Sequence, residues 1–130
     1  MHPRHFLFPA ALAAACAATP LLAWPASNTL RVNGTAQDFT VAYRPSNIVG
    51  DYWCAAADFA IGKLRLSPTT TIYRTTASSP RAIGHMGFSI DPAKSSGETG
   101  IVTIGRQDGG FSAAHAQSMC QGPRTIFPDD

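Results

Sequence analysis

Few residues of this chain have the type and spacing for chemistry. Cys54 and Cys120 are the only cysteines after the apolar first two dozen residues, with Cys16 inside that stretch. A free thiol at position 54 would stand at a helix start, where aligned backbone amides favour the thiolate and make it nucleophilic. In an exported domain an even pair reads instead as a disulfide. A bridge enclosing that much chain stabilises a small domain by about 4 kcal/mol in the chain-entropy treatment. Bonding also takes the sharpest nucleophile off the catalytic list.

The remaining candidates are weaker. His85 and His115 are the two histidines of the mature chain, and no spacing with Cys or Asp matches a zinc site. Ser112 and His115 are three apart and share a helical face, but Ser112 serves more simply as an N-cap. Ser89 follows His85 on a strand, and Asp51 or Asp58 would complete a triad only on paper. No nucleophile elbow occurs. The single glutamate, Glu98, lies among glycines, and Asp51 and Asp58 stand two helical turns apart, about 10 Å, as a cap and a surface charge. Gly109-Gly110 is too short to cradle phosphate. Asn33-Gly34-Thr35 matches a glycosylation acceptor and, better, a two-residue hairpin turn. No cofactor motif is present. Tyr43, Tyr52 and Tyr73 are the candidates for a ligand surface, since exposed aromatics are a common grip for sugars and peptides.

The elements that must position these residues follow from periodicity. Leu30-Arg31-Val32 predicts a short strand turned by Asn33-Gly34. Phe39, Val41 and Tyr43 alternate on one face of a second strand. Trp53, Ala56, Ala57, Ala60, Ile61 and Leu64 step at three and four, which predicts a helix from Gly50 or Asp51, with Asp51 at its cap and Gly62 near its end. Thr71–Thr76, Phe88–Ile90 and Ile101–Arg106 predict three more strands. Ser112 opens a short helix that runs to Cys120, and Gly122-Pro123 stops it. Two strands, a helix, three strands and a short helix give an α+β fold: a small, mostly antiparallel sheet packed on one main helix, with a short C-terminal helix and one disulfide.

The first residues set the compartment. Arg4 is followed by the uncharged run Phe6–Ala18, and small residues recur up to Ala23. This is the anatomy of a signal peptide, residues 1–23, cut after Ala23. The run is too short and alanine-rich for a good membrane span. Cys16 reads as a filler of the apolar region and not as a lipid-bearing residue. About 107 residues remain, carrying nine basic against eight acidic side chains. A near-neutral domain of that size has one core and no electrostatic footprint for nucleic acid or an anionic membrane. The reading divides the chain into the signal, a disordered lead-in at 24–29, one domain at 30–122 and a flexible tail at 123–130.

The stretch Tyr52-Trp53-Cys54-Ala55-Ala56-Ala57-Asp58-Phe59-Ala60, with the second Cys near the C-terminus, resembles a group of small uncharacterised exported bacterial proteins that share a Trp-Cys-Ala-Ala helix and a late Cys. The resemblance covers residues 50–62 and 111–120. It implies a structural helix and a disulfide and carries no activity. The expectation is therefore a periplasmic or secreted, non-catalytic binding or accessory module, inhibitor-like in kind. Its partner would be an envelope protein, a peptide or a glycan. The alternative is a small secreted hydrolase using His85 or His115.

Overall fold

A computed structural model describes residues 22–103 and 107–121. Strands β1 (Trp24–Pro25), β2 (Arg31–Thr35), β3 (Asp38–Ala42), β4 (Thr71–Arg74), β5 (His85–Ser89) and β6 (Gly110–Ser112) form one antiparallel sheet in the order β1-β2-β3-β5-β4-β6. The main helix α1 (Val49–Asp58) continues into a wider π turn, Phe59–Lys63. A one-turn helix α2 (Pro80–Ile83) precedes β5, and α3 (Ala113–Ser118) follows β6 and tightens into a 3-10 turn at Met119–Gln121. This is the expected α+β architecture. Among the described residues, no helix is long and apolar enough to cross a membrane.

Helix α1 forms where the apolar spacing places it. Asp51 closes its first turn by accepting the Ile48 N–H at 3.0 Å. Residues Tyr52 to Ala57 are all buried, because α1 meets the sheet on one side and α3 with its 3-10 turn on another. The run of alanines lets these elements approach closely. Phe39 and Val41 from β3, Met86 and Phe88 from β5, Ile72 from β4 and Phe111 from β6 supply the sheet side of the core. The rings form one continuous line. Trp24 meets Phe59 at 5.8 Å, Phe59 meets Phe39 at 5.4 Å and Phe39 meets Phe88 at 5.7 Å. Trp53 then meets Phe88 at 5.0 Å and Phe111 at 4.8 Å, both edge to face. These are the favoured aromatic geometries.

Cys54 and Cys120 are disulfide-bonded across 66 residues of chain. Cys54 is fully buried on α1 and Cys120 half-buried beyond α3. The bond ties the last element to the main helix, as expected.

Three expectations are corrected. Residues 24–29 are not a disordered lead-in: Trp24 and Pro25 pair with Val32 and Arg31, and Ala26 and Leu30 are buried about a tight turn. The reason is the Trp24 ring, which packs on Phe59 and fills the space that Gly62 leaves open. The sheet therefore already includes residues 24 and 25. Asn33-Gly34 is not the hairpin turn either. Both lie within β2, Thr35 pairs with Asp38, and the chain turns at Ala36-Gln37. That register sets Val32 opposite Val41, so both side chains enter the core. Gly34 has φ +126°, and a β-carbon there would collide with the Asp38 carbonyl and Phe39.

The third correction concerns the strand expected at Ile101–Arg106. Residues 101–103 are not in a strand, and Val102 is 98% exposed. Residues 104–106 lie outside the described residues, as do 1–21, with most of the expected signal segment, and the expected tail at 123–130. The edge strand forms instead at Gly110–Ser112, where the sequence reads as a turn and a cap.

Candidate functional site

The expected aromatic surface divides. Tyr43 follows β3, and its N–H donates to the Gly84 carbonyl at 2.8 Å. Gly84 terminates α2 with φ +85°, so this bond fixes the C-terminal end of the one-turn α2 beside Tyr43. Helix α1 approaches from the other side. A cleft of about 430 Å³ opens between them. Tyr43, Ile48, Val49 and Pro80 give it apolar walls, and Arg81 with Asn47 brings polar groups to it.

Tyr52 also lines this cleft but is 2% exposed. Its hydroxyl accepts the Arg44 N–H and donates to the Arg44 carbonyl, each at 3.2 Å. Its phenol thus holds the turn after β3 in place. The Asn47 amide completes that turn by donating to the Arg44 and Pro45 carbonyls at 3.2 Å. Tyr73 is elsewhere. It pairs with Ser89 and Gly110 on the side of the sheet away from the core, and its ring covers Gly110, where any β-carbon would lie 2.8 Å from it. The three tyrosines therefore do not share one surface: Tyr43 and Tyr52 line the cleft, and Tyr73 does not.

A second hollow of about 360 Å³ adjoins on the other side of Tyr43, lined by Leu30, Arg31, Ala42 and Arg44. Arg44 is fixed there by its Nη1 donating to Thr29 Oγ1 at 2.6 Å.

The groups that a hydrolase would use stand apart. His85 opens β5, and His115 lies on α3 with its ring stacked on Phe111 at 4.9 Å. Among the described residues neither imidazole is hydrogen-bonded to a carboxylate or hydroxyl. Ser89 is fully buried and its Oγ accepts the Asp91 N–H at 3.0 Å. Ser112 caps α3 by accepting the His115 N–H at 3.1 Å. Asp58 accepts the Ser27 N–H at 2.6 Å, and Asp51 serves Ile48. Both thiols are spent in the disulfide. Among the described residues no group of three His, Cys, Asp or Glu side chains could hold a metal ion.

Sequence reasoning passed over Arg74. It is 5% exposed and lies opposite Phe88 on the core side of β4. Nη2 donates to the Ser78 carbonyl at 3.0 Å and Nη1 to the Thr99 carbonyl at 3.4 Å. Nε has no hydrogen-bond partner among the described residues. Burial pushes its pKa below the ordinary value, partly opposed by attraction to Glu98. Alternation offers the signal: with Ile72 inward, Arg74 must also point inward. Its bonds to two loop carbonyls make it an anchor for the loops at 78 and 99.

Compared with known proteins, the chain matches no family model, no curated protein and no solved structure.

Proposed function

We propose that the chain is an exported, non-catalytic binding or accessory module, inhibitor-like in kind, which holds its partner at the cleft beside Tyr43. The observation that carries this reading is the cleft itself. It has apolar walls from three elements, an exposed Ile48 at its rim (58% exposed) and a cation in Arg81. Pockets of this size and mixed lining are the usual places for ligands. The disulfide supports the extracytoplasmic side of the proposal, since such bonds persist in oxidising compartments. So does the apolar run Phe6–Ala18 behind Arg4, and the resemblance to small exported bacterial proteins belongs to the same reading.

The test is photocrosslinking from position 48 in the producing cell. One envelope component trapped at Ile48, and lost on Tyr43→Ala, is the expected result. Crosslinks of no consistent mass, or an unchanged adduct in Tyr43→Ala, overturn it. The compartment is read separately by mass spectrometry of the extracytoplasmic fraction, where the protein should have lost about 23 residues. A protein recovered only from cytoplasm with its first residues intact removes export from the proposal.

A further inference from the structure

Resting on that reading of the cleft, we infer that its occupant is an acidic polypeptide segment that inserts an apolar side chain beside Tyr43. Charge is the first argument. The cleft and the adjoining hollow share Tyr43, and together they are lined by Arg31, Arg44 and Arg81, with no carboxylate in either lining. Asp51, the nearest acid along the chain, has its Oδ2 turned to the Ile48 N–H. Arg81 makes no hydrogen bond or ion pair among the described residues. In a domain of almost balanced charge, this is a local bias toward an anion.

The lining also favours a peptide over a saccharide. Saccharide hydroxyls are held by side-chain donors and acceptors that are not already committed within the protein. Asn47 has both hydrogens of its amide committed to Arg44 and Pro45, and the Tyr52 hydroxyl is committed to Arg44. Ile48, Val49 and Pro80 offer aliphatic surface instead. That surface suits a Leu, Ile or Phe side chain, while Arg81 is free to make a two-pronged contact with a neighbouring carboxylate. A peptide supplies both groups within two or three residues.

The experiment titrates the exported protein with the fluorescent peptide acetyl-Asp-Leu-Phe-Asp-Glu, followed by anisotropy, beside its Asn-Leu-Phe-Asn-Gln counterpart and cello- and chito-oligosaccharides. The acidic peptide should bind in a salt-sensitive way, about tenfold more tightly than the amide version, and Arg81→Glu should abolish that difference, with near-UV circular dichroism unchanged. Tyr43→Ala should weaken both peptides. Equal binding of the two peptides, or binding of a saccharide alone that Tyr43→Ala removes, overturns the acidic-peptide inference and leaves the cleft as the site. No binding of any probe, with no amide shift at Tyr43 or Ile48 in a heteronuclear spectrum, overturns the inference and the cleft reading together.

Discussion

Trp53 on α1 donates its indole N–H to the carbonyl of Thr99, 46 residues further along, at 2.9 Å and out of contact with solvent. The same carbonyl accepts from Arg74. Thr99 turns its own hydroxyl to the Ile101 backbone, donating to the carbonyl and accepting from the N–H. A segment whose β-branched residues read as a strand is therefore held as a bonded loop, pinned to the core at one oxygen.

Trp53→Phe should destabilise the domain by about 2–3 kcal/mol, because ring volume and the donor to a buried carbonyl are lost together. Urea denaturation gives the magnitude. Hydrogen exchange should show faster opening at Thr99–Ile101 than at β3. Uniform loosening would contradict the pinning.

The pair Arg74 and Gly100 should be coupled. Gly100 has φ +80°, and a β-carbon there would run into Arg74 Nη1. Gly100→Ala should destabilise by about 1–3 kcal/mol, part from backbone strain and part from the collision. In an Arg74→Ala background the collision disappears, so the second substitution should cost roughly 1 kcal/mol less. Strictly additive effects in the double-mutant cycle would show that the two do not meet.

Loss of the Cys54–Cys120 bond should lower stability by about 2–4 kcal/mol, in keeping with a closed loop of 66 residues. The Cys54→Ala/Cys120→Ala protein and the reduced wild type should shift their urea midpoints in the same direction. Non-reducing peptide mapping should join the two cysteine peptides. Alkylation of both thiols without reductant would speak against the bond.

Trp24→Ala tests where the domain starts. If β1 is part of the fold, losing the ring that packs on Phe59 should cost about 1–2 kcal/mol. A disordered lead-in would register no change in the melting temperature.

Much of the fold is legible before folding, and the exceptions share a cause. Helix α1 is readable because its apolar residues repeat at three and four, and Ser112 because a capping serine precedes an alanine run. The six-residue run Ile101–Arg106 is rich in strand formers, yet Gly97 and Gly100, both at positive φ, bend the chain ahead of it. Gly110-Phe111-Ser112 has only three residues, so no periodicity can mark it; Ile72 opposite Phe111 selects it. Tyr52 and Tyr73 look alike as free aromatics. Only the Arg44–Pro45 turn over one and Gly110 beneath the other distinguish them, and both are tertiary facts.

Among the described residues, the first element and the last meet over the same helix. Trp24 lies against the π turn that ends α1, and Ser27 Oγ donates to Cys120 Sγ at 4.0 Å. Chains emerge from the ribosome N-terminus first. Cys54 must therefore wait as an open thiol while 66 further residues arrive. Closure comes after every strand of the sheet, since β6 ends at Ser112, before Cys120. A chain that ends before Cys120 leaves Cys54 without its partner and α1 without its covalent tie to the turn after α3.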